Sequence, residues 1–352
     1  MDVQSNLTFE SRLPRPRDLK EEMPISEKAL LAKDKIDNEL EAIFNWESNK
    51  KVVIVGPCSA DSKEPVLDYC KLLRDVQDSL KNLVLVPRVY TQKPRTNGTG
   101  YMGLLHGESP DGKEDNFDGI RAVRDLHKTI LEETGFGTAD EMLYPDELRY
   151  VSDILSYVAV GARSTENQNH RLVASGLSCP VGMKNPTSGS LKVMVNSVHA
   201  AYLPHRFIYR NWQVESKGNP LAHAILRGYN TRDLAQSKAN YHYEDLLDAI
   251  KLLEEDMTRP SLVIDCSHAN ARKDYRNQPR IAMEVIESMS KNEKIRAAVK
   301  GFMIESYLFP GNQPPDGGCK GTSYTDPCLG FAETAELLKN MDRAIGELYE
   351  KN

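Results

Sequence analysis

Short runs of apolar, largely β-branched residues recur along the chain from residue 52 onward. They lie at 52–55, 83–90, around 136–143, 157–163, 179–184, 223–228, 261–266 and 298–304. Runs that are apolar at nearly every position are typical of strands buried on both faces of a sheet, since neither face of such a strand meets water. The pattern therefore predicts eight strands of a parallel sheet.

Most of the intervening segments carry apolar residues at intervals of three and four. Representative positions are Val66, Leu67, Cys70 and Leu73 after the first run, and Ile281, Val285, Ile286 and Met289 before the last. This spacing gives each helix one apolar face that can cover the sheet. Eight such strand–helix units predict a (β/α)8 TIM barrel. A doubly wound open sheet is the alternative, but no G-x-G-x-x-G turn follows the first strand.

Two segments depart from this alternation. Residues 1–24 contain RLPRPRD, which predicts a proline-broken arm that is not a packed element, and helical spacing begins after a candidate N-cap at Ser26. Residues 204–220 alternate like two strands around a polar turn, so we expect a β-hairpin inserted before strand six. The predicted organisation is an N-terminal arm and helix over 1–45 and a barrel over 46–352, with the inserted hairpin at 204–222.

The composition excludes several classes of protein. The 352 residues carry a net charge of −6, which argues against a general surface for nucleic acid or anionic membrane. The six cysteines are scattered singly, as expected for a reducing cytosol and not for a disulfide framework. No apolar run approaches the roughly 18 residues of a membrane span, and the first 30 residues lack a signal-peptide core. We therefore expect a soluble cytoplasmic enzyme in which any anion site is a local cluster of cations.

Basic residues stand where the predicted strands end. The carboxyl ends of all strands of a parallel barrel meet at one rim. The six cations expected there are Arg88, Lys93, Arg95, Arg163, Lys184 and Arg227. Each of them alone would more commonly pair with a surface acid. Six at one rim repel each other unless a polyanionic ligand such as a phosphate plus a carboxylate binds, and arginine forks suit both groups.

Four potential metal ligands fall at the ends of the first, seventh and eighth strands and in the last long loop. They are Cys58, His268, Glu305 and Asp326. A thiolate, an imidazole and two carboxylates suit one divalent transition metal ion (Mn, Fe, Co or Zn) better than Ca or Mg. Their spacing is no metal motif, and Cys58 alone would more commonly be a core residue. Only closure of the barrel would make strands one, seven and eight neighbours.

Eight segments of the chain resemble, in the same order, the class I 3-deoxy-D-arabino-heptulosonate 7-phosphate (DAHP) synthases. They are GPCS (56–59), PRVYTQKPRT (87–96), GARSTENQNHR (161–171), SGLSCPVGMKN (175–185), ILRG (225–228), DCSHAN (265–270), ESYLFPGNQ (305–313) and TDPCLG (325–330). The resemblance runs from about residue 50 to the end. It implies a (β/α)8 barrel that condenses phosphoenolpyruvate with erythrose 4-phosphate and opens the shikimate pathway.

The resemblance also implies roles for individual residues. Cys58, His268, Glu305 and Asp326 would hold the metal, and Cys58, His268 and Lys93 would be catalytic. Phosphoenolpyruvate would bind to Arg88, Lys93, Arg163, Lys184, Arg227 and the backbone N–H of Ala162. Arg95 and Thr96 would bind the phosphate of the sugar, and Asp326 would also contact substrate. Lys93 or a metal-bound water is the candidate general acid.

Two alternative functions, feedback inhibition and subunit contacts are also considered from the sequence. A 3-deoxy-D-manno-octulosonate 8-phosphate synthase is disfavoured because Lys-Pro-Arg-Thr is the form of that loop that takes a four-carbon sugar. A non-catalytic barrel that regulates a partner is the other alternative. The family's aromatic amino acid effector would meet Tyr209 where inhibited enzymes have a small residue, which predicts weak or altered inhibition. By the same resemblance, the arm and the hairpin would contact other subunits of a homodimer or homotetramer.

Overall fold

The computed structural model describes residues 6–95, 100–107, 115–231, 236–314 and 316–350. The strands in this part of the chain are β1 (Lys51–Gly56), β2 (Leu83–Pro87), β3 (Thr138–Glu141), β4 (Leu155–Val160), β5 (Val181–Lys184), β6 (Arg206–Tyr209), β7 (Trp212–Glu215), β8 (Ala222–Leu226), β9 (Tyr229–Asn230), β10 (Ser237–Lys238), β11 (Leu262–Asp265) and β12 (Val299–Glu305). The α-helices are α1 (Pro16–Glu22), α2 (Glu27–Phe44), α3 (Lys63–Gln77), α4 (Asn116–Thr134), α5 (Gln168–Ala174), α6 (Leu191–Tyr202), α7 (Tyr243–Glu254), α8 (Gln278–Lys291), α9 (Glu293–Ala298) and α10 (Phe331–Glu350).

Eight strands form one parallel sheet in the spatial order β2-β1-β12-β11-β8-β5-β4-β3. The two edges of this sheet meet where β2 ends, because Arg88 and Ala139 form a parallel bridge. There the N–H of Val89 donates a hydrogen bond of 2.9 Å to the carbonyl of Ala139. The sheet therefore curves into a barrel, and the predicted (β/α)8 fold is confirmed in place of the open sheet.

The alternation of side chains along each strand divides the core into two layers. Val53 and Val55 of β1 face the surrounding helices, whereas Val52 and Ile54 face the barrel interior. The interior layer also contains side chains from α2, namely Leu40, Ile43 and Phe44. Helix α2 thus covers the base of the barrel, where the strands begin. The opposite end, where the strands finish, is left for the loops.

The prediction for the first 24 residues was wrong in one respect. Helix α1 begins at Pro16, and its Leu19 is fully buried in the core. A proline at the first helical position lacks only an N–H that would have no intrahelical partner there, and its fixed φ suits the helix. Two prolines near a helix start therefore do not exclude a packed element. The predicted N-cap of α2 is confirmed, since the side chain of Ser26 accepts a hydrogen bond from the N–H of Ala29.

The inserted hairpin is present and shorter than the predicted segment. Strands β6 and β7 pair antiparallel, with Tyr209 opposite Trp212. The two turn residues, Arg210 and Asn211, have φ values of 52° and 64°. Two successive positive φ values are those of a type I′ turn, whose twist matches that of the strands on either side. Of the helices described, none has the length and apolar character needed to cross a bilayer.

Candidate active site

A cavity of about 250 Å³ lies at the end of the barrel where the strands finish. All six cations predicted for the rim line it, together with all four predicted metal ligands and Ala162. Thr96 lies outside the described residues. The cations lie at or after the ends of four different strands, β2, β4, β5 and β8, and only closure of the barrel brings them together. Sequence position alone placed these residues at strand ends, and the structure places them around one cavity.

Three of the predicted metal ligands form a compact group. Cys58, Glu305 and Asp326 each offer one ligand atom, and these atoms all lie within 4.8 Å of one another. Burial, followed by the charge of Glu305, raises the pKa of the Cys58 thiol to about 12 even though Lys93 opposes the shift, so a thiolate there requires a further cation. One sulfur and two carboxylate oxygens form a donor set that fits a divalent transition metal.

Lys93 contacts the same group. Its Nζ lies 2.7 Å from Cys58 Sγ and 3.1 Å from Asp326 Oδ2. Burial opposes the charged form of Lys93, but the facing Cys58 and Asp326 outweigh it and raise the pKa of this ammonium group. Lys93 therefore keeps its proton, beside the ligand group and facing the cavity.

His268 lies at the edge of this group. Its Nε2 is 3.7 Å from Glu305 Oε1, and its Nδ1 is 2.9 Å from Asp265 Oδ2. When Nδ1 carries the hydrogen toward Asp265, Nε2 presents its lone pair toward Glu305. The backbone of His268 has a φ of 52°, which is costly for a residue with a Cβ. The structure thus joins three of the four predicted ligands closely and holds the fourth beside them.

Asp265 was given no role from the sequence, and it organises this side of the cavity. The side chain is fully buried, and its Oδ1 accepts hydrogen bonds from the N–H and the hydroxyl of Ser267 at 3.0 and 2.6 Å. Its Oδ2 lies 3.2 Å from Lys184 Nζ in addition to the imidazole of His268. Burial opposes ionisation, but His268 and Lys184 outweigh it and hold the pKa of this carboxyl well below its usual range.

Glu305 is held through both its side chain and its backbone. Arg88, which is also fully buried, donates to Glu305 Oε1 at 2.7 Å and to the carbonyl of Cys58 at 3.0 Å. The amide of Gln278 binds the backbone of Glu305 twice, donating to its carbonyl at 2.9 Å and accepting from its N–H at 2.8 Å. Gln278 was missed from the sequence because a glutamine at a helix start gives no signal of a contact across the barrel.

The loop that carries Lys93 and Arg95 is fixed by a buried acid. Asp140 of β3 accepts from the N–H of Thr91 at 3.0 Å and from its hydroxyl at 2.6 Å. Further along, the N–H of Lys93 donates to the carbonyl of Met102 at 2.8 Å. The basic segment therefore leaves the barrel in a defined direction, with Lys93 and Arg95 both at the cavity.

The cations on the opposite wall have fewer acidic neighbours. Burial, with a further contribution from Arg163, lowers the pKa of Arg227. The Nη1 of Arg227 is buried and has no hydrogen-bond partner among the described residues. Arg163 donates to the carbonyl of Pro94 at 3.4 Å. Two guanidinium groups in this arrangement favour an anion between them.

The parallel barrel and its cation-lined cavity define a TIM-barrel enzyme that acts on anionic substrates. Residues 22–339 match the family model described as the DAHP synthetase I family. The chain belongs to that family. The family resemblance and the DAHP synthase activity expected from the sequence are thereby confirmed.

Similar proteins agree with this assignment. The Tyr-sensitive phospho-2-dehydro-3-deoxyheptonate aldolase of Escherichia coli K12 is 38% identical over 97% of this chain and 95% of its own. The Trp-sensitive one of Escherichia coli O6:H1 is 34% identical over 87% of each chain. The solved structure of the phospho-2-dehydro-3-deoxyheptonate aldolase from Francisella tularensis matches with a TM-score of 0.89 at 30% identity, over 97% of this chain and 99% of that one.

Proposed function

We propose that the cavity condenses phosphoenolpyruvate with erythrose 4-phosphate to give DAHP and inorganic phosphate. The observation that carries this proposal is the presence of six cations and the thiol–carboxylate group around one cavity of about 250 Å³. Two phosphorylated substrates need several cations, and an aldehyde acceptor needs an electrophilic partner beside it. Both kinds of group line this one cavity.

Apart from Lys93, we assign the cations to three groups. Arg88 and Lys184 are each paired with a buried acid, so they stay charged and fixed, and we assign them to the carboxylate of phosphoenolpyruvate. Arg163 and Arg227, with the N–H of Ala162, would bind its phosphate. Arg95, together with Thr96, would bind the phosphate of the sugar. Under this assignment Pro94 separates Lys93 and Arg95 so that each contacts a different substrate.

Cys58, Glu305, Asp326 and His268 would hold one divalent metal ion, which when bound would polarise the aldehyde of erythrose 4-phosphate. The remaining steps depend on the chain's own groups. As C3 of phosphoenolpyruvate attacks the aldehyde carbon, we assign to Lys93 the donation of a proton to the developing alkoxide, with a water on the metal as the alternative donor. A water then adds through its oxygen to the cationic C2, and one of its protons restores the ammonium form of Lys93. The resulting C2 hydroxyl becomes the ketone as the C2–O bond to phosphate breaks, its proton leaving with the phosphate that Arg163 and Arg227 hold.

A phosphate-release assay tests this proposal directly. Phosphoenolpyruvate and erythrose 4-phosphate should release phosphate with Mn present, and a chelator should abolish release reversibly. Arabinose 5-phosphate in place of erythrose 4-phosphate should support little turnover. Replacing Arg227 by Met should lower kcat/KM about 100-fold or more because a group that stabilises charge in the transition state is lost. Arg276→Ala is the matched control, since Arg276 is exposed and paired with Asp274.

The outcomes separate the alternatives. Turnover only with arabinose 5-phosphate would favour the octulosonate synthase. No phosphate release with either aldehyde, although phosphoenolpyruvate binds, would favour a non-catalytic barrel. Full activity in stoichiometrically metal-free protein, or in a His268→Gly variant, would refute the ligand assignment.

We also propose that feedback inhibition by aromatic amino acids is weak or altered in this chain. Relatives carry the names Tyr-sensitive and Trp-sensitive. By the family resemblance, the effector pocket involves the hairpin and residues 143–150, which follow β3. In this chain the half-buried ring of Tyr209 lies in that hairpin, and Arg210 next to it approaches Asp146 at 3.6 Å. A ring at this position fills space that an aromatic effector would need. Inhibition should be slight with millimolar Phe, Tyr or Trp and should increase in Tyr209→Ser; strong inhibition of the unaltered chain contradicts the proposal.

We further propose that the arm at 1–45 and the hairpin at 204–222 contact other subunits of a homodimer or homotetramer. Large apolar side chains are exposed in both: Phe9 is 86% exposed, Ile208 81% and Trp212 73%. Exposed apolar residues grouped on a hairpin are typical of a contact surface. Ile208→Asp should lower the mass seen by analytical ultracentrifugation, and an unchanged mass in this variant and in one lacking residues 1–12 would count against the proposal.

A further inference from the structure

A second cluster of cations lies at the opposite end of the barrel, where the strands begin. Lys51 opens β1, and Lys300 is the second residue of β12. The parallel register pairs Val52 with Gly301, so the two lysines occupy neighbouring positions on adjacent strands. Both face the helices, because Val53 and Phe302, two residues further along each strand, belong to the helix-facing core. Five residues of strand separate Lys300 from Glu305, or about 16 Å.

The two lysines are buried without an acid. Lys51 is 1% exposed and Lys300 3% exposed. Lys51 donates to the carbonyl of Arg296 at 2.9 Å, whereas the ammonium of Lys300 has no hydrogen-bond partner in the described part of the chain and lies 4.2 Å from the ring centre of Trp46. Lysine is almost never fully buried unless it is paired. The cavity illustrates the rule, since its buried Lys184 contacts Asp265.

The other charged groups that act on these lysines are also cationic. Arg259, from the loop before β11, acts on Lys300, and Arg296, from α9, acts on Lys51. Tyr349 of α10 is the remaining titratable group, with Lys51 Nζ 5.9 Å from its ring centre. Across the residues that the structure describes, none of the four cations forms an ion pair, although Glu347 of α10 and Glu284 and Glu287 of α8 line a surface pocket together with Arg296. A buried ammonium group without a counter-charge is relieved either by losing its proton or by binding an anion.

We propose that Lys51, Lys300, Arg259 and Arg296 form a second anion site, at the base of the barrel, for a small doubly charged oxyanion such as sulfate or phosphate. Arg259 is exposed and donates to the carbonyl of Asn45 at 2.7 Å, and Arg296 is half-buried, so these two guanidinium groups give the ion its approach from solvent. A dianion matches the two amines in charge, and the guanidinium groups can bind its oxygens in bidentate fashion. The site lies apart from the catalytic cavity and does not depend on the proposed reaction.

Binding at this site is coupled to protons. Burial, followed by Arg296, lowers the pKa of Lys51 to about 7, and burial, followed by Lys51 and Arg259, lowers the pKa of Lys300 to about 6. Without an anion, both amines therefore lose protons near neutral pH. A bound anion favours the ammonium forms and raises both pKa values, so binding takes up protons and weakens as pH rises. For Lys51 alone the protonated fraction falls from about 0.9 at pH 6 to about 0.1 at pH 8, which weakens binding about tenfold.

Trp46 provides a local probe of this site. The chain has two tryptophans, and the other, Trp212, is 73% exposed in the hairpin. In a Trp212→Phe background, sulfate is titrated against chloride at constant ionic strength while Trp46 emission is followed at pH 6 and pH 8. Sulfate does not itself titrate in this range. We expect a saturable change with an apparent Kd at least about tenfold lower at pH 6, and inorganic phosphate should compete at pH 6.

Two variants and one control decide the outcome. Lys300→Met should abolish the saturable change, and Arg259→Gln, at an exposed position, should raise the Kd several-fold without affecting folding. Lys50→Met is the matched control and should leave the titration unchanged, because Lys50 is paired with Glu39 at 3.0 Å. Saturation by sulfate in Lys300→Met equal to that of the parent overturns the proposal. So does a change that chloride reproduces, or a Kd that is the same at pH 6 and pH 8.

Discussion

Replacing Asp265 by Asn separates the charge of this residue from its shape. The carboxylate is fully buried, with Lys184 Nζ at 3.2 Å and His268 Nδ1 at 2.9 Å. An amide can still accept from Ser267, but its NH2 group would face the ammonium and the imidazole. Removing one partner of a buried ion pair costs about 3–5 kcal/mol, because the other charge stays buried. We expect the free energy of unfolding to fall by about 3 kcal/mol.

The same substitution should affect catalysis through His268. Without the carboxylate, Nδ1 loses its acceptor and the ring loses both its orientation and its preferred tautomer. The metal concentration that gives half-maximal activity should rise about 10–100-fold, the range found when an outer partner of a ligating histidine is lost. A residue that served only to pack the core would lower stability without moving this concentration.

Urea unfolding and a phosphate-release assay across Mn concentrations measure the two effects. Asp274→Asn is the control: Asp274 lies in the same loop, paired at the surface with Arg276, so its change should move neither quantity. The double variant with Lys184→Met should lose less unfolding free energy than the sum of the losses in the two single variants. In the double variant no buried ammonium group is left without its carboxylate. Strict additivity, or an unfolding free energy unchanged in Asp265→Asn, would refute the reasoning.

Two further predictions concern the fold. His223 is buried between Tyr157 and Phe44, and burial lowers its pKa from 6.5 to about 3. Because the pKa in the folded chain lies below that in the unfolded chain, the contribution of neutral His223 to the stability of the fold is complete above pH 6.5. This contribution is lost as the pH falls toward 3. Between pH 6.5 and 4.5 the unaltered chain should therefore lose about 2 kcal/mol more unfolding free energy than His223→Gln, and parallel pH profiles from urea unfolding would contradict this. In Gly119→Ala the new Cβ would lie 1.8 Å from the carbonyl oxygen of Leu105, so α4 must shift. Thermal unfolding should show that the free energy of unfolding falls by about 1–3 kcal/mol. An unchanged Tm would show instead that the contact relaxes freely.

Much of the fold was predictable because burial on both faces leaves a strong local signal. The run VVIV at 52–55 is buried at every position, as a strand inside a closed barrel must be. Helix α1 was missed because the prolines that begin or precede it are also the commonest signal of an irregular segment. The cover that α2 places over the barrel base was not predictable either, since its apolar stripe shows only that one face is buried.

The candidate site was predictable in its residue types and less so in its partners. Strand ends with Arg88, Lys184 and Glu305 indicated the rim, and the family resemblance suggested their roles. The acid that holds Lys184 and the amide that holds Glu305 belong to other strands and helices, at Asp265 and Gln278. Contacts between residues so far apart in sequence depend on barrel closure and register, which no local pattern encodes.

The amino-acid sequence by itself determined the alternation of strands and helices, the class of barrel and the residue types that line the cavity, because periodicity and residue type act locally. The tertiary structure decided which charges are paired and which are not. Lys184 and Lys300 are both lysines on buried strands, but among the described residues the first contacts a carboxylate, whereas the second is close to cations and an indole ring. That difference arises from the neighbouring strands and loops, since the energy of a buried charge depends on everything packed around it.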